Sequence, residues 1–330
     1  MENQIILYNN AEGKVTIKVT YLDDTFWLPQ KAIAQLFGVE VPAISKHLAN
    51  IYETGELVKE ATISILETVQ IEGNREVKRL VEFYNLDAII AVGYRVNSKQ
   101  ATQFRIWATQ TLKEYIIKGF VLNDDLLKNG KPFGKDYFDE LLERIREIRA
   151  SERRLYQKLG DIFEQCSADY NAKAEECQLF YKMVQNKLHF AVTGQTAAEI
   201  IASRANRDKD YMGLTSWKNS PTGKILKSDT KIAKNYLSEQ EIGDLNLLVS
   251  AYLDLAEFQA RRNQVMTMKD WLERTNKFLE GNSLELLPNA GKISHEDAIE
   301  KAAEEYEHFR IQQDKNYLSD LDKEIKKLKK

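Results

Sequence analysis

The tightest constraint on this chain is the segment Leu28-Pro29-Gln30-Lys31-Ala32-Ile33-Ala34-Gln35-Leu36-Phe37-Gly38-Val39-Glu40-Val41-Pro42-Ala43-Ile44-Ser45-Lys46-His47-Leu48, which reads as two short helices about a sharp turn. Pro29 suits the first turn of a helix, where a missing N–H costs nothing. Ala32, Ile33 and Leu36 make one apolar face, and small Ala34 lets a second helix approach. Gly38 stands where the chain must reverse, a position that favours freedom in φ. Val39 anchors the turn, Pro42 opens the second helix, and Ile44 and Leu48 hold it down. Val41, Ala43, Ser45, Lys46 and Asn50 are left facing outward, short or polar as a helix entering a major groove requires. Gln30 and Lys31, at the start of the first helix, join the expected DNA-contacting set. The competing reading is a helical hairpin without a ligand.

The flanks fit a winged-helix-like domain over residues 1–122. Ile5, Leu7, Val15, Ile17, Val19 and Tyr21 alternate about Glu12-Gly13, as in a hairpin. Residues 61–84 return to strand character around Gly73-Asn74, so a second hairpin is expected there. That hairpin could serve as a wing, with Arg75, Lys78 and Arg79 reaching phosphates; the alternative is a hairpin whose charges simply face water. Asn85 can cap a helix that Gly93 breaks, and Ser98 starts another that Gly119 ends. Arg95 and Lys99 complete the expected contacts, and with Arg105, Lys113 and Lys118 they form a positive region in a chain of net charge -3. Phosphate binding needs such local charge, because the overall balance does not supply it.

A boundary is expected in the loop 123–135, which holds Asn129-Gly130, Pro132 and Gly134. Residues 136–186 read as a long helical, possibly coiled-coil segment. Phe138, Ile145, Leu159, Cys166 and Phe180 fall at one heptad position, and Leu141, Ile148, Leu155, Ile162 and Met183 at the other. A homodimer through this seam is expected; one or two helices packed on their neighbours is the alternative. Residues 187–330 read as an α-helical domain with a polar block at 187–237. His189, Glu199, Arg204, Asp208, Asp229 and Lys234 are the candidate catalytic groups there. Glu199, Asp208 and Asp229 could hold Mg²⁺ or Mn²⁺ for phosphodiester hydrolysis; otherwise no cofactor is expected, and the block is a polar loop network. Ser238-Glu239-Gln240-Glu241 has the capping-box pattern.

Two cysteines, Cys166 and Cys177, and four scattered histidines argue against a zinc site. The N-terminus lacks the features of a signal peptide, and no run is long and apolar enough for a membrane span. A cytoplasmic protein without membrane partners is expected.

Several strings resemble the virulence protein RhuM family along nearly the whole chain. The strongest is Phe83-Tyr84-Asn85-Leu86-Asp87-Ala88-Ile89-Ile90-Ala91-Val92-Gly93-Tyr94-Arg95-Val96. Others are Ala101 to Thr109, Thr196-Ala197-Ala198-Glu199-Ile200-Ile201, Met212-Gly213-Leu214-Thr215-Ser216-Trp217 and Lys234-Asn235-Tyr236-Leu237. The resemblance implies a bacterial protein, often from a genomic island, whose N-terminal half is similar to phage antirepressor-like DNA-binding proteins. A related N-terminal half precedes Fic-type domains, but the His-Pro-Phe motif of those enzymes is absent, so AMP transfer is not implied. The expected architecture is mainly α with a small β component: a winged-helix-like domain, a long helical segment and an α-helical C-terminal domain. The expected function is sequence-reading binding of double-stranded DNA, as a regulator or a component of a mobile-element or phage-defence locus. A metal-dependent nucleic-acid enzyme using the 187–237 block and a protein-interaction scaffold are the alternatives.

Overall fold

The computed structural model describes residues 2–10, 13–22, 25–72, 75–129, 136–171, 173, 175–262 and 265–317. The fold is mainly α with a small antiparallel sheet, and the chain divides into two compact units, Met1–Phe138 and Asp139–Lys330. Among the described residues no helix is long and apolar enough to cross a membrane.

In the first unit, strands β1 (Glu2–Asn10), β2 (Gly13–Leu22) and β3 (Thr25–Pro29) lead into helices α1 (Gln30–Phe37) and α2 (Val41–Glu53). A short helix α3 (Lys59–Thr62) precedes strands β4 (Ile63–Glu72) and β5 (Arg75–Tyr84), and α4 (Leu86–Arg95) and α5 (Lys99–Lys118) follow. The strands form one sheet in the order β1-β2-β3-β5-β4. β4 and β5 pair from Ile63↔Tyr84 to Glu72↔Arg75, and β3 meets β5 only at Leu28↔Tyr84 and Pro29↔Phe83. The expected turn residues Glu12, Gly73 and Asn74 lie outside the described residues.

β3 is a strand that the alternation alone does not separate from β2. Its end fixes where α1 starts: Pro29 closes the strand and is the extended N-cap residue of α1, at φ -74 and ψ 157. Gly38 ends α1 in the left-handed region, at φ 63 and ψ 41, and the Val39 N–H returns to the Ala34 carbonyl at 3.0 Å. Pro42 sits in the first turn of α2. Ile33, Phe37, Ile44, Ile51 and Val92 are fully buried in one apolar cluster with Leu28, Leu48 and Phe104. The result is a winged-helix-like arrangement, two short helices followed by an antiparallel hairpin. Ser98 caps α5 by accepting from the Ala101 N–H at 3.0 Å and ties it to α1 by donating to the Phe37 carbonyl at 2.6 Å.

Gly93 does not break a helix, contrary to the expectation from sequence. It lies inside α4 and is buried, because a Cβ there would come within 2.7 Å of Phe37 and 2.8 Å of Phe104. Its role is close packing. The expected loop 123–135 is also corrected in part, since Asp124–Asn129 forms helix α6. Gly130, Pro132 and Gly134 lie outside the described residues.

In the second unit, α7 (Phe138–Arg149), α8 (Glu152–Cys166) and α9 (Glu175–Thr193) occupy most of the stretch expected as a long helical segment. Leu155, Leu159, Ile162, Cys166 and Phe180 from the heptad pattern are buried in this unit's own core, whereas Phe138, Ile145, Ile148 and Met183 are exposed. Helices α10 (Ala197–Arg204), α11 (Glu239–Arg261), α12 (Met268–Gly281) and α13 (His295–Asn316) complete the unit, with 3-10 turns at Asp210–Gly213, Asp229–Lys231 and Ala233–Tyr236. Capping boxes start α10, α11 and α12, satisfying N–H groups that a helix start leaves without partners.

Candidate nucleic-acid interface

The buried face of α2, formed by Ile44, Leu48 and Ile51, dictates what the opposite face presents. Val41, Ser45, Lys46 and Asn50 are exposed and Ala43 is half-buried, while Lys31 on α1 is exposed and Gln30 half-buried. Lys31 and Lys46 have no ion-pair partner among the described residues. Both charges are therefore available to an anionic ligand.

Gln30 and Ser45 are joined in a hydrogen-bond chain. The Ser45 hydroxyl donates to Gln30 Oε1 at 2.5 Å, and Gln30 Nε2 donates to Tyr84 Oη at 2.7 Å. The Tyr84 hydroxyl in turn donates to Glu82 Oε2 at 2.7 Å. Burial, and then the Glu82 carboxylate, push the Tyr84 phenol up to about 12, so it stays a donor at neutral pH. The chain links the start of α1, the exposed face of α2 and the base of the β4–β5 hairpin. Tyr84 and Glu82 were not among the sequence candidates. The signal for Tyr84 is its β5 position opposite Leu28, two residues before Gln30.

Several expected phosphate contacts are compromised. Arg95 is ion-paired with Glu56 across the unit, and Lys78 with Glu67 at 2.7 Å. The second pair was legible in register: Glu67 faces Leu80 and Lys78 faces Val69, which makes Glu67 and Lys78 diagonal neighbours. Arg79 and Lys99 are exposed. The Arg75 side chain lies outside the described residues. Arg105 spends its guanidinium inside the unit, donating to the carbonyls of Gly93 at 3.1 Å and Val96 at 2.8 Å at the end of α4.

In the second unit the polar block is engaged by its own backbone. Glu199 Oε2 accepts from the Thr196 N–H at 2.8 Å and hydroxyl at 3.0 Å, and Oε1 accepts from the Lys292 N–H at 2.8 Å. Arg204 makes a two-pronged pair with Glu241 at 2.6 and 2.7 Å and also donates to the Tyr236 carbonyl at 2.9 Å. The Arg204 guanidinium holds the Glu241 carboxyl down to about 2. Buried Asp229 accepts from the Leu226 N–H at 2.8 Å and the Lys218 N–H at 3.4 Å. Asp208 is exposed. His189 is buried, its Nδ1 has no hydrogen-bond partner, and burial followed by the Lys234 charge pushes it down to about 4. Lys234 donates to Asn246 Oδ1 at 3.1 Å.

Glu199, Asp208 and Asp229 are thus not brought together. Among the described residues no group of three or more His, Cys, Asp and Glu side chains could hold a metal ion. A cavity of about 490 Å³ in this unit lies elsewhere, lined by Arg144, Glu147, Ile148, Ser151, Arg153 and Arg154 around the α7–α8 junction.

The model of the virulence protein RhuM family matches residues 61–318. The chain belongs to this family. No curated protein matches it. The RhuM match begins in α3 and ends just after α13. It takes in the β4–β5 hairpin, α4, α5 and the helices of the second unit. The strings from Phe83–Val96 to Lys234–Leu237 all fall inside it, whereas α1 and α2 precede it. Membership in the RhuM family therefore bears on the β4–β5 hairpin, α4, α5 and the second unit, and α1–α2 must be argued from its own geometry.

Proposed function

We propose that the first unit binds double-stranded DNA, with α1, the Gly38 turn and α2 acting as a helix-turn-helix and the β4–β5 hairpin as its wing. One observation carries this reading: α2 buries Ile44, Leu48 and Ile51 while turning Val41, Ser45, Lys46 and Asn50 to solvent. A helix held on one side and small or polar on the other can enter a major groove, where Ser and Asn reach base edges and Lys reaches phosphates. Exposed Lys31 adds a second cation from α1. Arg95 and Lys78, each in an exposed ion pair, would have to exchange Glu56 and Glu67 for phosphate, whereas Arg105 donates to the carbonyls of Gly93 and Val96. In a RhuM-family protein such binding suits a regulator or a component of a mobile-element or phage-defence locus. We favour binding over the nuclease alternative because Glu199 and Asp229 accept from backbone N–H groups and, among the described residues, no group of three or more His, Cys, Asp and Glu side chains could hold a metal ion.

The test is binding of fluorescent duplexes from the neighbouring genomic DNA by wild type and by a variant carrying Ser45→Glu and Lys46→Glu, in EDTA and at several salt concentrations. The expected result is wild-type binding that persists in EDTA. The variant, with unchanged circular dichroism, should lose at least about tenfold in affinity and roughly one unit of salt slope for the lost Lys46 phosphate contact. A folded variant with wild-type affinity at matched salt would remove α2 from the interface.

A further inference from the structure

Helix α5 is 20 residues long, yet only Ala101 and Phe104, near its start, are buried. Its later turns remain strongly apolar. Leu112, Tyr115 and Ile116 share a face at i, i+3 and i+4, and Ile117 lies beside it. These four side chains are between 56% exposed at Leu112 and 71% exposed at Ile116. Gly119 then ends the helix in the left-handed region at φ 82 and passes the chain to exposed Phe120. Helices that carry apolar groups over so wide an arc are normally covered.

We propose that this end of α5 is the interface through which two copies of the chain associate. At roughly 150–250 Å² per large side chain, more than half exposed, the five residues present on the order of 600 Å² of apolar surface. That reaches the upper end of what a lone soluble protein shows as its largest patch. With flanking atoms it approaches the ~800 Å² that each partner contributes to a stable interface. Occupation by a second copy follows from the area, and from the fate of the competing dimer seam. The heptad pattern in residues 138–183 is interrupted: its Leu155, Leu159, Ile162 and Phe180 are used inside the core of the second unit, and exposed Phe138, Ile145, Ile148 and Met183 are what remains of that seam. The apolar end of α5 lies outside the buried core of the first unit, and a two-fold axis crossing it would set like against like. The interface is independent of DNA binding, so it can be tested without DNA.

Sedimentation of the full chain over nanomolar to micromolar concentrations reads the association directly. Wild type should be dimeric at micromolar concentration. Leu112→Glu with Ile116→Glu, both at exposed positions, should weaken the dimer at least about hundredfold while leaving the circular dichroism unchanged. Ile116→Cys should give a chain-to-chain disulfide on mild oxidation. Wild type should not, because Cys166 and Cys177 are both buried. A monomeric wild type throughout, or a dimer that survives the double glutamate substitution, would overturn the proposal. So would a dimer that Ile148→Asp dissociates and the α5 changes do not.

Discussion

Replacing Glu199 by Gln separates a structural carboxylate from a chemical one. The change keeps the shape, removes the charge and turns one acceptor into a donor. In the native unit Oε2 serves Thr196 and Oε1 serves the Lys292 N–H, so both oxygens are in use. Whichever way the Gln amide turns, its NH₂ faces a backbone N–H. At least one of the three charge-assisted hydrogen bonds is lost, and those that survive become neutral. Such a loss costs about 1.5–3 kcal/mol, and because the group is half-exposed, water recovers part of it, leaving about 2 kcal/mol. For a unit of this size that lowers Tm by roughly 4–8 °C. Burial acts to raise the Glu199 carboxyl, but the hydrogen bonds from Thr196 and Lys292 outweigh it, and the net shift is downward. A depressed carboxyl stabilises above its unfolded pKa and loses that contribution as pH falls through the folded value. The gap between wild type and variant should therefore be full at pH 7 and close only below the ordinary carboxylate range. The assay is thermal melting at both pH values, with DNA binding and Mg²⁺-dependent cleavage measured in parallel. An unchanged Tm combined with lost cleavage would refute the capping account and return Glu199 to chemistry.

Two further expectations follow from buried groups. Gly93→Ala pushes a methyl to within 2.7 Å of Phe37 and 2.8 Å of Phe104, so it should destabilise the first unit by about 1–3 kcal/mol; an unaltered denaturation midpoint would show that the rings can yield. His189, held down to about 4 from an ordinary 6.5, favours folding fully above pH 6.5 and loses that contribution as pH falls toward 4. Relative to His189→Leu, wild type should lose on the order of 3 kcal/mol over that window, and parallel pH profiles of the two proteins would contradict this.

The elements that sequence disclosed were those specified locally. Gly38 and Pro42 mark the α1–α2 turn because φ freedom and a missing N–H are properties of single residues. The alternation in 61–84 similarly discloses β4 and β5. Gly93 was misread because its neighbours Phe37 and Phe104 come from other helices, and a glycine that breaks a helix looks like one that admits a ring. The Arg95–Glu56 ion pair was not legible because the two residues lie 39 positions apart. Thr196 and Glu199 were legible as a capping box at the T-x-x-E spacing, but the reading went to the charge and not to the spacing. The heptad in 138–183 is a core pattern only at Leu155, Leu159, Ile162, Cys166 and Phe180, while Phe138, Ile145, Ile148 and Met183 are exposed; periodicity alone does not say which side of a seam meets the same chain.

The chain of donors from Ser45 through Gln30 and Tyr84 to Glu82 has a polarity, with every proton pointing toward the carboxylate. Both outward residues at its head are already satisfied in the free protein, so a base edge that takes up Gln30 competes with Tyr84. If Gln30 turned toward a base, the Ser45 hydroxyl would lose its acceptor and the Tyr84 hydroxyl its donor, and only the Tyr84–Glu82 bond of the string would remain. When Ser45 turns, Gln30 Oε1 is left as a free acceptor beside it and can take a donor such as the amino group of adenine or cytosine. The network therefore sets, in the free protein, which hydrogen-bonding sense the α1–α2 surface offers at each of the two positions.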